Sequence, residues 1–302
     1  MERGNDDREQ AMSEMRYEAP KTLAAAVALL AGAQGRARVL AGGTDLLIQL
    51  RAGRIEPELL VDIKGIPEMS QIVAEGGGYR VGAAVTGMQL IEHEAFARQW
   101  PGVVDGVKLI GSLQVKGRAT VGGNLCNASP AADSVPALIA ADAVASIIGP
   151  AGRREAAVET LVVGPGKTSL AVGEILTALL LPPRPAHSGD AYLRFTPRTE
   201  MDIAIVGAGV NLTLDPQGVC TQARVALGAV ASRALLVPEA AAALIGTKVD
   251  AAALQELAAA ARAACRPIDD KRGTREFRLK LAGVMVCRAA EIALDRARRN
   301  DG

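Results

Sequence analysis

Apolar residues first fall at helical spacing at Leu23, Val27 and Leu30, behind Thr22, a residue type that caps helix N-termini. Gly32 and Gly35 end this helix, and Ala37–Leu40 is a short apolar strand that runs into Gly42-Gly43. Thr44-Asp45 then caps a helix over Leu46–Arg51, Gly53 stops it, and residues 59–63 form another strand. This first unit is βαβ-like and closes near Met69. Residues 71–74 and 79–85 are strands joined by the turn Glu75-Gly-Gly-Gly78. Thr86 caps a helix reaching about Arg98, and residues 103–112 are a second helical stretch. After a long polar loop, 135–141 is helical, 144–148 is a strand, 149–152 is a turn and 154–158 is the returning hairpin arm. Ile175–Leu181 is a further strand, and Pro182-Pro-Arg-Pro185 reads as a linker.

The pattern changes after Asp190. Residues 191–198, 203–214 and 220–229 read as three long antiparallel strands, with Asp215-Pro-Gln-Gly218 turning between the last two. Residues 237–246, 251–265 and 274–297 are helices; the last sets Leu279, Val286, Ala290 and Ile292 against Arg275, Lys280 and Arg288. Three strands with three helices predict an α+β layer.

Composition narrows the function classes. The chain has 302 residues, 49% hydrophobic and 22% charged, enough for more than one core and unlike a disordered chain. Aromatic residues are only 2%, so the cores must be built from Ala, Val, Leu and Ile. A net charge of +1 argues against nucleic acid as a partner. No run approaches the ~18 apolar residues of a membrane span. The polar start, MERGNDDREQ, lacks an apolar signal core, which places the protein in the cytoplasm, and residues 1–14 read as a flexible tail. Four scattered cysteines (Cys126, Cys220, Cys265, Cys287) and two histidines disfavour zinc, iron–sulfur and triad chemistry on this chain.

The chemistry-bearing stretch is 118–136, RATVGGNLCNASPAADSVP. Its Gly-Gly pair permits close backbone approach to a ligand. Thr120, Asn124, Asn127, Ser129 and Ser134 offer hydroxyl and amide partners, and Asp133 suits a ribose or the donor edge of a base. The stretch LAGGTDLL at 40–47 has the same style. Two such loops suit the two ends of one phosphate-bearing ligand, although either alone is equally an ordinary tight turn. Two other motifs mislead. The stretch 163–169, VGPGKTS, lacks the first glycine of a P-loop, where Leu161 stands, and leads into a turn rather than a helix. Gly207-Ala-Gly209 lacks the third glycine of a dinucleotide fingerprint and sits within a strand, where a bulge or close packing explains it better. Asp105, Glu174 and Glu200 read as solvated single carboxylates, and 266–280 as a solvated helix start carrying Asp269 and Asp270. Cys126 reads as a small apolar filler.

Four ordered motifs, LAGGTDLLIQL at 40–50, ATVGGNLCNASPAAD at 119–133, RTEMDIAIVGAGV at 198–210 and PIDDKRGTREFR at 267–278, together resemble the FAD-binding medium subunit of molybdenum hydroxylases of the carbon monoxide dehydrogenase and xanthine dehydrogenase type. The resemblance implies an α+β fold. A two-lobed, vanillyl-alcohol oxidase-like FAD-binding domain (15–70 and 71–186) would be followed by a C-terminal flavoprotein domain over 187–302. It also implies that Ala41, Gly42, Gly43, Thr44 and Asp45 hold the FAD pyrophosphate. Thr120, Gly122, Gly123 and Asn124 would meet the pyrophosphate and ribityl chain, Asp133 would contact FAD, Leu181 would present an apolar surface to it, and Ile203 would lie against the isoalloxazine ring. Some relatives carry a tyrosine at this last position.

The cysteine-rich insertion of the hydroxybenzoyl-CoA reductase type is missing. The first loop also has no histidine for a covalent link, so FAD is expected to bind noncovalently. The implied task is electron transfer. A large partner subunit would carry the molybdenum cofactor and a small one the [2Fe-2S] clusters, in a dimer of heterotrimers. Electrons would pass through this FAD to NAD+, a quinone or another acceptor. Two rivals are a stand-alone flavin oxidase or reductase of the same fold, which the scarcity of His and Tyr disfavours, and an assembly subunit that has lost FAD, which the intact glycine loops disfavour.

Overall fold

The computed structural model describes residues 15–198 and 201–300; the predicted tail over 1–14 and Glu200 lie outside them. The chain opens with β1 (Arg16–Glu18), α1 (Leu23–Gly32), β2 (Ala37–Leu40), α2 (Leu46–Arg51) and β3 (Leu59–Asp62). These strands form a parallel sheet in the order β1-β3-β2, so the predicted βαβ unit runs from β2 through α2 to β3. Thr22 caps α1 as expected, its hydroxyl accepting from the Ala25 N–H. β1 had no apolar signature because it is an exposed edge strand, Arg-Tyr-Glu, held by backbone pairing with β3.

A five-stranded antiparallel sheet follows, built from β4 (Ile72–Glu75), β5 (Gly78–Gly82), β6 (Val144–Gly149), β7 (Gly152–Ala157) and a later central strand. Between β5 and β6 lie α3 (Gly87–Glu92), α4 (Glu94–Gln99), α5 (Pro101–Lys108), α6 (Leu113–Lys116), α7 (Val121–Cys126) and α8 (Ser134–Ala140). Thr86 and Gln89 form a capping box on α3. The predicted single helix to Arg98 is in fact two, because the His93 ring caps α4 by accepting from the Phe96 N–H. After β7 come α9 (Val158–Leu161), the small hairpin β8 (Val162–Gly164) and β9 (Lys167–Thr168), then β10 (Ile175–Leu181), which takes the centre of the sheet in the order β4-β5-β10-β6-β7. β10 is buried almost throughout, which is why it reads as an unbroken apolar run rather than an alternating one.

The third sheet, β11 (Ser188–Phe195), β12 (Val206–Leu214), β13 (Cys220–Gly228) and β14 (Leu235–Leu236), has four antiparallel strands, one more than predicted. β12 starts three residues later than expected. Met201 takes a left-handed φ of 51°, and the Asp202 carboxylate accepts from the Ile203 N–H, so 201–203 forms a bend instead of strand. Three helices follow: α10 (Pro238–Ala242), α11 (Ala251–Ala264) and α12 (Arg275–Arg298). α12 buries Ala282, Met285, Val286, Ala289, Ala290, Ala293 and Ala297, a stripe of small residues at three- and four-residue spacing, against β11 and β12.

Three carboxylates taken as solvated in the sequence are paired. Asp105 on α5 binds Arg296 on α12 at 2.6 Å, Glu174 holds Arg154 with two bonds of 2.6 Å, and Asp270 accepts from the buried Arg278 at 2.8 Å. Each partner is far away in sequence or across a turn, where local composition cannot reveal it. The predicted linker is likewise anchored: Arg184 pairs with buried Asp190 at 2.6 Å and lies over the Trp100 ring. Gly207-Ala-Gly209 is a close-packing site, since a Cβ on Gly209 would stand 2.6 Å from the Pro136 carbonyl of α8.

The closeness of α12 to β11 generates a prediction. A Cβ on Gly189 would overlap the Ala293 carbonyl and stand 2.5 Å from the Ala297 nitrogen, both backbone atoms that cannot turn away. Gly189→Ala is therefore expected to cost about 3 kcal/mol, the upper end of overpacking penalties. In urea unfolding this lowers the midpoint with the slope unchanged; a midpoint equal to that of the unsubstituted chain would contradict the packing.

Candidate functional site

The loop 41–45 leaves the C-terminal end of β2 and the loop 118–124 leads into α7; the two touch through backbone. A Cβ on Gly42 would collide with the Arg118 carbonyl and stand 2.9 Å from the Ala119 Cα, so only glycine lets these loops meet. Gly43 has a φ of 78°, in the left-handed region. A Cβ on Gly122 would fall 2.6 Å from the Ala83 carbonyl. A Cβ on Gly123 would touch the Thr120 hydroxyl and otherwise meet nothing closer than the Ala41 Cβ at 3.8 Å. The four glycines therefore do different work. Gly123 leaves open space beside it, whereas Gly42 and Gly122 bring chain segments together.

The first loop is pinned from behind. Lys64 Nζ donates to the Ala41 carbonyl at 3.1 Å and to both oxygens of Asp62 at 2.7 and 2.8 Å, and Tyr17 donates its phenol to Asp62 at 2.6 Å. Burial alone would raise the Asp62 carboxyl, but these donors hold it below the ordinary range. Gln49 on α2 donates to the Asn127 side chain at 3.1 Å, tying the two loops a second time. In front, the backbone N–H groups of Gly42, Gly43, Thr44 and Asp45 find no acceptor among the described residues. Asp45 occupies the N-cap position of α2 without making the predicted capping bond; its exposed carboxyl has no partner among the described residues and is raised by desolvation. In the second loop Thr120 caps α7 by accepting from the Gly123 N–H, and Ser134 donates to the Asn124 side-chain oxygen at 2.7 Å, leaving the Asn124 amide nitrogen without an acceptor among the described residues.

Both loops line one cleft of about 790 Å3, within the size range of small-molecule and cofactor sites. Ala41, Gly42, Gly43, Thr44, Asp45, Thr120, Gly122, Gly123, Asn124, Asp133 and Ile203 all reach its wall. Leu181 does not. It ends β10 opposite Tyr79, about 16 Å along the strand from Leu176, which with Ile175 is the part of β10 that borders the cleft. Ile203 stands half exposed on the rim, on the bend that interrupts the predicted strand.

The sequence reading missed two parts of the wall. One is the hairpin β8–β9, whose Gly166 and Thr168 border the cleft; this is the stretch set aside as a false P-loop. The other is Arg194 on β11, whose guanidinium binds Asp133 at 2.5 Å. Strand alternation puts Tyr192 and Arg194 on one face, and Tyr192 donates to the other Asp133 oxygen at 2.9 Å. Asp133 is thus held by the third sheet as well as facing the cleft. Cys126 also borders the cleft, where burial pushes its thiol up to about 12, far from a reactive thiolate.

The cleft is walled by two glycine loops and bordered by the third sheet, and the comparisons give the class of the protein. Residues 13–184 match the family described as FAD binding domain in molybdopterin dehydrogenase, and residues 191–293 match the CO dehydrogenase flavoprotein C-terminal domain. The chain belongs to this family of FAD-binding oxidoreductase subunits. It is 36% identical to the carbon monoxide dehydrogenase medium chain of Afipia carboxidovorans over 93% of this chain and 97% of that one. It is 34% identical to the putative xanthine dehydrogenase FAD-binding subunit of Escherichia coli over 89% of this chain and 92% of that one. The solved reconstituted CO dehydrogenase from Oligotropha carboxidovorans superposes with a TM-score of 0.90 at 36% identity, covering 93% of this chain and 98% of that one. Among the described residues no helix is long and apolar enough to cross a membrane.

The Asp133 cluster has a measurable signature. Burial pushes its carboxyl up to about 6, while the charge of Arg194 and the hydrogen bonds from Tyr192 and Arg194 pull it down. The folded value lies above the ordinary 3.8, so the folded chain keeps a proton that the unfolded chain releases. The stability this proton contributes is full below about pH 4 and is lost as pH rises through about 6. Tyr192→Phe removes a donor to the ionised form, so the Asp133 carboxyl is expected to titrate higher still. Carboxyl carbon-13 titration of the apoprotein reads this directly, and an unmoved or lowered value in that variant would contradict the assignment.

Proposed function

We propose that the cleft binds FAD noncovalently and that this chain is the electron-transfer subunit of a molybdenum hydroxylase complex. The observation carrying the proposal is the run of four unsatisfied backbone N–H groups at 42–45 on the wall of the shared cleft. Consecutive free amides form a cradle for a phosphate anion and replace its hydration. The donor set and the space above Gly123 fit a flavin nucleotide, so the first loop is assigned the pyrophosphate.

In this reading Thr120, Gly122, Gly123 and Asn124 border the ribityl chain and the near phosphate. Asp45, an unpaired carboxylate, repels phosphate and suits hydroxyl donors such as those of ribose. Ile203 covers the ring from the rim without stacking, since it has no aromatic face. Leu181 is given no contact with the cofactor, because it lies off the cleft. The chain is divided into two FAD-binding lobes, 15–70 and 71–186, and a C-terminal domain, 187–302.

When bound, FAD supplies the redox chemistry, taking electrons from the [2Fe-2S] clusters of a small subunit and passing them to NAD+, a quinone or another acceptor. The molybdenum cofactor resides on a large subunit, and the assembly is a cytoplasmic dimer of heterotrimers. This chain's residues bind and orient the cofactor; none is assigned proton transfer.

The test is Gly123→Val. A branched side chain there fills space beside Ala41 and disturbs the Thr120 cap, a cost of about 1 kcal/mol that a chain of this size tolerates. The variant is expected to fold with unchanged far-ultraviolet circular dichroism and to be purified without flavin absorbance. A yellow variant with normal FAD content would refute the placement.

A further inference from the structure

We propose that Arg194 is a flavin-ring ligand: held by Asp133, it donates to the carbonyl edge of the ring and favours the electron-rich, reduced cofactor. The proposal rests on the reading of the cleft as an FAD site and deepens it.

Arg194 is the one buried cation on the cleft wall among the described residues; Arg38, the other arginine there, is exposed. Its side chain is 6% exposed. Among the described residues only Nη1 has a protein partner, the Asp133 carboxylate at 2.5 Å. Nε and Nη2 have none, yet they are not among the sealed, unpartnered atoms of the interior. The small part of Arg194 that solvent reaches therefore opens to the cleft it lines. The group is also preset. Asp133 is fixed by Tyr192, and its neighbour Ser134 is fixed to Asn124, so the guanidinium is braced by the second loop and by β11 together. A buried arginine with one edge anchored and two free donors matches a planar acceptor edge or an anion.

Placement decides between the two. The free amide cradle lies on the first loop. Arg194 instead precedes Phe195 on β11, whose carbonyl accepts from the Ile205 N–H, so it stands beside the chain that carries the 201–203 bend and Ile203, the residue assigned to the ring. A cation at the carbonyl edge interacts more strongly once the ring carries extra charge. Reduction by two electrons and one proton, supplied by dithionite and water, adds one negative charge to the ring. Asp133 tempers the effect without cancelling it, because its carboxylate is engaged on the far side of the guanidinium.

The test compares the full chain with Arg194→Gln, Arg194→Lys and the double variant Arg194→Gln/Asp133→Asn, which removes both charges and stands in if the single variant does not fold. Dissociation constants are measured for FAD, riboflavin and ADP by fluorescence and calorimetry, and the flavin midpoint potential is measured by spectroelectrochemistry. Arg194→Gln is expected to weaken FAD and riboflavin about tenfold while leaving ADP unchanged. It should also lose about tenfold in preference for the reduced over the oxidised cofactor, a potential about 30 mV more negative. Arg194→Lys is expected to recover part of the potential. Unchanged riboflavin affinity and potential would overturn the proposal while leaving the FAD site intact. Weakened FAD and ADP with unchanged riboflavin would also overturn it, moving Arg194 to the pyrophosphate. Failure of the unsubstituted chain to bind FAD would instead refute the reading of the cleft and the proposal with it.

Discussion

The site depends on a missing methyl group. Two loops, one leaving β2 and one joining α6 to α7, meet at Gly42 with backbone against backbone, and any side chain there would separate them. Their contact turns two ordinary turns into one wall and aims a run of amide donors outward. The devices behind that wall are polar and redundant: Lys64 fixes the Ala41 carbonyl, Gln49 fixes Asn127, and Thr120 closes the first turn of α7. A ligand that needs rigid, unsatisfied donors is served by holding the loop from behind and leaving its front bare.

The third sheet completes this wall through buried charge. The buried pairs Asp133–Arg194 and Asp190–Arg184, and the part-exposed pair Asp105–Arg296, all cross from the second lobe or the stretch after it to β11 and α12. Buried pairs contribute little net stability, because desolvation offsets their attraction, but breaking one strands a charge. They therefore act mainly to fix how the parts sit together. α8 shows the result. All seven of its residues are buried, and Gly209 and Gly228 of the third sheet leave room for its Pro136.

What the sequence revealed follows the range of the forces involved. Helix caps at Thr22 and Thr86, the βαβ unit and the apolar run of β10 are set by neighbours within a few residues, and they were legible. Both glycine loops were legible as loops, and the family resemblance gave their order. The roles of individual glycines were not, because Gly42 answers to Arg118 and Gly122 to Ala83, contacts set by the tertiary fold. Arg194 was missed for the same reason: its partner lies 61 positions earlier, and strand alternation marks it only once Tyr192 is known to face Asp133. The hairpin at 162–168 was dismissed for lacking a phosphate-binding pattern, yet it forms cleft wall by position alone. Asp202 delayed the start of β12 through a local side-chain bond that hydrophobic patterning does not register.

α8 lies wholly enclosed between the second lobe and the β12–β13 surface, and this bears on how such a chain can be divided. The prolines at 182–185 look like a natural place to cut, but severing the gene there would expose an apolar helix on one fragment and a bare sheet face on the other. Neither piece would be expected to stay in solution unaided. During synthesis the segment carrying Asp133 must therefore wait for strands made more than fifty residues later before it can settle, so the cofactor pocket is one of the last features of the molecule to mature.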